Sequence, residues 1–475
     1  MIKIAMIGAG SVVFCKTLIL DILATPGLDD VHFSLMAPST RKTAFVKDYM
    51  DRVIAENHLN AAIAITTDRQ EALRNANYVI ATLQIGGIEA YEHDYKIPMQ
   101  YGVDQCIGDT LGPGGIFRAL RTIPIMLELA ADMKKLCPQA LLLNYVNPMA
   151  MICWALGETG IQFVGLCHGV QTTLDLISGY TGVMKQDINY LCAGINHMGW
   201  FLKLEHRGKD LYPVLRRNFE KPEYYANEKV RGEVFRHFGY FMTESTGHLS
   251  EYVPWFRKNQ KALSLYCDEP SFGGETGAYY QWCKLVAEKY AQTNILADES
   301  TSLPPRSVEY CSYIIEAIEL DHTFRLNGNI RNNGCITNLP ADCAVEVPIF
   351  VNGAGLHPTR VGNLPPQCAA LNQTNINVQQ LTVLAAKSGD PELVVQACAL
   401  DPLTSAVLTL REIRDMVTMM LEAESPWLPH FAGKKPIPVP YIAIPGGVKR
   451  ASVPVDPALA INARFGELIK QEETV

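Results

Sequence analysis

The chain has 475 residues, 48% of them apolar and 19% charged, the make-up of a globular enzyme long enough for two or three domains at roughly 150 residues each. Its 41 Lys and Arg against 49 Asp and Glu leave a net charge of −8. With no Lys/Arg-rich run there is no basic field to draw nucleic acid or an anionic membrane. Apolar stretches fall short of a membrane span and the first residues lack a signal-peptide pattern, so a cytoplasmic protein is expected. The 13 cysteines are scattered, odd in number and without a C-x-x-C pair, which argues against a disulfide framework and against a structural zinc site.

In chain order, Ile2–Ile7 reads as a buried strand, followed by a glycine turn and a helix to about Ala24. Val31–Met36 is a second strand and Lys42–Glu56 a polar-faced helix; Ala62–Thr66 and Tyr78–Leu83 continue the strands. Ile116, Leu120, Ile123, Leu127 and Ala130 keep a helical spacing, with Pro124 expected to break or kink that helix. Ala140–Leu143, Phe163–Leu166 and Tyr190–Ile195 are further strands. This alternation predicts an α/β, Rossmann-like doubly wound, mostly parallel sheet over residues 1–195.

Beyond residue 196 the rhythm changes. Glu412–Glu424 places Ile413, Val417 and Met420 on one helix face, and Thr323–Val351 holds strand-like pieces between Asn-Gly turns. A mixed, helix-rich α+β second domain is expected over 196–433, and a Pro-rich arm over 434–475.

Gly8-Ala9-Gly10-Ser11 follows the first strand and opens the first helix. Such a turn lets backbone approach a pyrophosphate at a helix N-terminus, or it simply closes a tight strand-to-helix connection. Val13 stands where the fingerprint has its third glycine, and Ala37 where an acid would hold the ribose. Ser39, Thr40 and Arg41 could greet a 2′-phosphate or merely open the next helix. The Gly-rich loop Asp109–Gly115 runs towards Arg118 and Arg121, with Asp109 able to accept from hydroxyls. Asn147 follows a strand, at the edge where doubly wound sheets bind ligands, although an Asn there also serves as a helix cap. Cys167-His168 and His197 follow two other strand ends. Thiolate and imidazole suit a divalent transition metal whose site is completed by substrate and water.

Gly8–Ser11, Gln84–Gly87, Gly108–Pro124 (GDTLGPGGIFRALRTIP), Leu142–Met151, Gly165–Gln171 (GLCHGVQ) and Ala193–Met198 (AGINHM) together resemble the family 4 glycoside hydrolases. The chain is most similar to the α-galactosidases of that family, through GDTLGPGG and Phe238–Phe256. The resemblance spans about residues 1–430. It implies an α-glycosidase, most like an α-galactosidase, that uses NAD and Mn²⁺ on a small-molecule α-glycoside, and a homodimer or homotetramer is expected. Cys167 and His197 match the metal ligands, and Asp109 and Asn147 match residues that contact the sugar. His168 matches the proton donor to the leaving group, and Gly8, Gly10, Ser11 and Gln84 fall in the cofactor-binding segments. The C2 base falls in Thr243–Tyr252, where Glu244 is chosen over His248 and Tyr252 as a carboxylate. Ala37 departs from the family's usual Asp.

The implied chemistry explains why a nicotinamide fold serves hydrolysis. Oxidation at C3 of the glycone acidifies the C2 proton, a base removes it, the aglycone leaves by elimination, and hydride returns after water adds. The family stands outside two-carboxylate glycoside hydrolysis. An α-glucosidase, an α-galacturonidase or an α-glucuronidase of the same family is the alternative. No obvious basic cluster is present for a 6-phosphate. A 2-hydroxy-acid dehydrogenase would need a His–Asp pair in place of the Cys167–His197 pair, and a non-catalytic dinucleotide sensor would need no metal at all.

Overall fold

The computed structural model describes residues 1–28, 30–292, 294, 296–454, 456–458, 460–461 and 465–466. Among them, twelve strands join one sheet: β1 (Ile2–Ile7), β2 (Val31–Met36), β3 (Ala61–Thr66), β4 (Tyr78–Ala81), β5 (Leu141–Asn144), β6 (Gln162–Gly165), β7 (Asn189–Ile195), β8 (Met198–His206), β9 (Lys209–Asp210), β10 (Phe324–Arg331), β11 (Ala344–Asn352) and β12 (Gly355–Pro358). The order is β3-β2-β1-β4-β5-β6-β10-β11-β7-β8-β9, with β12 on β11. The first six strands pair in parallel. Chain order reverses between β1 and β4, which makes their carboxyl ends the switch point where such sheets bind ligands. β4 and β5 are buried at every position, as strands covered on both faces must be.

β7, read from sequence as part of the parallel series, lies instead in the antiparallel extension. It pairs with β8 through a tight hairpin and meets β11 at Gly194↔Glu346. β10 meets β6 at Asn329↔Gly165. The extension therefore brings the end of β6 and the β7–β8 turn to one region of the sheet.

The helix Gly112–Leu136 runs through Pro124 without the break that was one of the two expected outcomes. An internal proline costs about 3 kcal/mol. Phe117, Leu120, Ile123 and Met126 of this helix are wholly buried, and at about 1.5–3 kcal/mol per side chain their burial outweighs that cost. The helix packs on Gly87–Gln100, Met149–Gly157 and Pro366–Ser388.

The cysteines are buried apart from Cys167 and Cys283, which are half-buried. No helix among the described residues is long and apolar enough to cross a membrane. By contacts the chain divides into Met1–Pro436 and Ile437–Val475. In the second unit residues 437–454 carry neither helix nor strand, and the end of the expected arm, 467–475, lies outside the described residues.

Candidate active site

The carboxyl end of β1 supplies the glycine turn. Gly8 has φ 92°, and a Cβ there would stand 2.5 Å from the Leu83 backbone nitrogen just beyond β4. Only glycine fits both demands. Ser11 opens the helix Val12–Leu23 but does not cap it with its side chain. Val13 is 46% exposed, so its bulk faces outward and leaves intact the close packing of helix on strand that the fingerprint's third glycine secures. Gln84 donates from Nε2 to the Gly87 carbonyl at 3.3 Å. At the end of β2, Ala37 is buried, and Ser39 caps the helix Thr40–Glu56 by accepting the Arg41 N–H.

Cys167 lies just past β6 and His197 in the β7–β8 turn, where its φ is 63°. Cys167 Sγ stands 3.5 Å from His197 Nε2. The same nitrogen is 3.7 Å from Glu244 Oε2, and Glu244 Oε1 is 3.6 Å from His248 Nδ1. His197, Glu244 and His248 can each offer one donor atom within 4.8 Å of the others. His197 Nδ1 contacts the Tyr252 hydroxyl at 3.1 Å, and Thr110 Oγ1 meets His248 Nε2 at 2.8 Å and also the Tyr252 hydroxyl. Two imidazole nitrogens and a carboxylate within reach of one another, with the Cys167 sulfur against the His197 nitrogen, are donors that suit a divalent transition cation.

The third side of the site is built on Asp109. Its Oδ2 accepts from Asn147 Nδ2 at 3.2 Å and from Arg118 at 3.4 Å, and its Oδ1 is 3.7 Å from His248 Nε2. Oδ1 is buried and has no hydrogen-bond partner among the described residues, an acceptor left open for a hydroxyl. Arg118 also reaches the Asn147 carbonyl at 3.3 Å. Arg121 points elsewhere, into a wholly buried cluster with Asp94 and Glu424, and is not available to an anionic substrate.

Electrostatics divide these groups. Burial pushes the His197 pKa down to about 4, so the ring is neutral and its lone pair free for a metal. Burial also opposes charge on His248, but the Glu244 carboxylate facing it raises its pKa to about 9. Burial would raise Glu244 as well, yet His197 and His248 hold it well below the carboxylate range. Burial pushes the Cys167 thiol up, against the Gly169 N–H and the Asn196 side chain. His168 sits apart from this cluster. Its side chain is 54% exposed and its Nδ1 lies 3.3 Å from Glu309, a bond that raises its pKa.

Sequence reasoning missed Glu309, which belongs to no motif and lies far along the chain from His168. It also missed Glu251, whose carboxylate holds the amides of Ile107 and Gly108 ahead of Asp109. Asn196 lay in plain view inside AGINHM but carried no role.

Two profiles match the chain, family 4 glycosyl hydrolase over residues 3–183 and family 4 glycosyl hydrolase C-terminal domain over 192–404. An α-galactosidase of Rhizobium meliloti is 41% identical over 439 residues, 90% of each chain. An α-galactosidase of Bacillus subtilis is 39% identical over 90% of this chain and 99% of its own. Among solved structures, a 6-phospho-β-glucosidase of Thermotoga maritima with manganese, NAD⁺ and glucose-6-phosphate superposes with a TM-score of 0.74 over 90% of this chain and 99% of its own, at 21% identity.

Proposed function

This chain belongs to the family 4 glycosyl hydrolases, and from that membership we propose that it is an α-galactosidase working with NAD and a divalent metal, Mn²⁺ by preference. The observation that carries the reading is identity of 41% and 39% to two α-galactosidases across nine-tenths of the chain. A cation-competent cluster within the matched length supports it.

The residues present suit both groups. The Gly8 turn at the β1/β4 switch point would hold the dinucleotide, and Cys167 and His197, with Glu244 beside them, would hold the metal. When bound, these groups supply reversible hydride removal at C3 of the glycone and a Lewis-acid pull on its C2 and C3 oxygens. The protein does the rest. Asp109 and Asn147 orient the sugar, with Asp109 Oδ1 accepting from a ring hydroxyl. Glu244, kept ionised by the protonated His248 facing it, takes the C2 proton. That anion is a weak base, so it serves only where oxidation at C3 has made the proton acidic. His168, oriented through Nδ1 by Glu309, gives its proton to the departing oxygen.

The finer readings combine that resemblance with the sequence pattern: residues 1–195 for the cofactor, 196–433 for substrate, metal and subunit contacts, 434–475 as a Pro-rich arm, and a homodimer or homotetramer in the cytoplasm. Nitrophenyl α-galactoside, α-glucoside and α-galacturonide, assayed with NAD and Mn²⁺ and with each omitted, test the function. The galactoside should turn over fastest, and omission of either group from stripped enzyme should stop it. Preference for another glycone, or full turnover after stripping, overturns the reading.

A further inference from the structure

Outside the residues already given roles, three aromatic side chains form a half-exposed cluster beside the site. Tyr279 and Trp282 stack with ring centroids 5.8 Å apart and planes 13° from parallel. Phe272 stands edge-on to both, at 6.0 and 6.2 Å. Trp282 is 50% exposed and Phe272 41%. Large aromatics are worth most when buried, so a fixed aromatic face held open to water invites a ligand.

The face is tied to the walls of the site on two sides. The Gly277 amide donates to the Gln105 carbonyl at 2.8 Å and the Tyr279 amide to the Cys106 carbonyl at 3.1 Å, four and three residues ahead of Asp109. The Phe272 carbonyl lies against Gly247, where any Cβ would run into it, next to His248. Tyr279 is also edge-on to Tyr91 at 5.8 Å, and Tyr91 donates to the Ile107 carbonyl.

We propose that Trp282 and Phe272, backed by Tyr279, form a stacking platform for the second pyranose ring of an oligosaccharide substrate, the ring carried by the leaving oxygen. The groups that would hold the glycone are buried around Asp109, so the remainder of the substrate extends outward. A pyranose presents a face of C–H groups, and a flat aromatic surface matches that face without demanding particular hydroxyls. Selectivity for a sugar aglycone over a small one is the consequence.

This inference rests on the galactosidase reading, and the test separates the two. Kinetics on methyl α-galactoside and on an α-galactosyl disaccharide are compared for wild type, Trp282→Ala, Trp282→Phe and the double variant Phe272→Ala/Trp282→Ala, with oligomer mass measured by light scattering. In Trp282→Ala the ratio of kcat/KM for the disaccharide to that for the methyl glycoside should fall about fivefold or more, the loss expected of one aromatic contact. The loss should lie in KM, deepen in the double variant and be largely restored in Trp282→Phe. An unchanged ratio overturns the platform. So does a change of oligomer mass with the ratio intact, which would make the cluster a contact between copies of the chain. Wild type that cleaves neither substrate overturns the galactosidase reading and this inference with it.

Discussion

At His197 the backbone, the protonation state and the neighbours act on one nitrogen. A non-glycine residue in the left-handed region costs roughly 1–2 kcal/mol, and such strain collects at functional sites. Here it turns Nε2 towards Cys167 and Glu244 while Tyr252 occupies Nδ1. Cys167→Ser and His197→Ala should each abolish turnover and weaken Mn²⁺ binding by more than about 100-fold, beyond the loss typical of residues behind the ligands. Circular dichroism should find both variants folded. Calorimetry showing Mn²⁺ affinity unaltered would remove both residues from the metal site. Ala37 permits a second test. With no carboxylate at the end of β2, discrimination between NAD and NADP should be modest, and Ala37→Asp should weaken NADP relative to NAD through repulsion of the 2′-phosphate. Wild-type rejection of NADP by several orders of magnitude would mean that another residue reads the ribose.

Among the elements, β4 and β5 were legible because strands buried on both faces read as apolar runs, and β1 because its second half does. Pro124 misled because local propensity weighs one lost hydrogen bond, whereas the packing of the helix's buried face is invisible in the sequence. β7 misled because an apolar run does not announce the direction of its partner. In the site, Cys167, His197 and Asn147 could be picked out because each follows a strand end. Glu309 and Glu346 could not, since only tertiary folding brings them in. Glu346 sits in β11 opposite Gly194 and Asn329, 2% exposed, with no hydrogen-bond partner for Oε1 among the described residues. Burial raises its pKa to about 8. The folded protein therefore binds a proton that the unfolded chain releases near its ordinary pKa. Stability should fall by on the order of 1 kcal/mol per pH unit between about pH 4.5 and 8 and then level off. Glu346→Gln, neutral throughout, should flatten that slope and be the more stable protein at pH 9, as read from Tm across the range. Equal slopes for both proteins would show that Glu346 is not the titrating group. Arg121 links the helices Gly87–Gln100 and Gly112–Leu136 to Glu424 through a pair of buried carboxylates. Arg121→Met should cost about 3–5 kcal/mol in denaturant unfolding, because it leaves buried charge without a partner. A loss below 1 kcal/mol, on the same scale as exposed pairs, would mean that the carboxylates are neutral.

Taken as a whole, the molecule joins a dinucleotide-type sheet to a Cys–His–carboxylate cluster, with Asp109 beside the cluster and an open acceptor on it. Direct displacement at an anomeric carbon needs neither the glycine turn nor the cation donors. Removal of the C2 proton after oxidation at C3 uses both, and Glu244, held ionised beside His248, is the base we propose for that proton. The most direct measurement is the position of deuterium in galactose released from an α-galactoside in D₂O, read by NMR for wild type and Glu244→Gln. The account predicts deuterium at C2 with the wild-type enzyme and suppressed exchange in the variant. Released galactose with protium retained at C2 would contradict it.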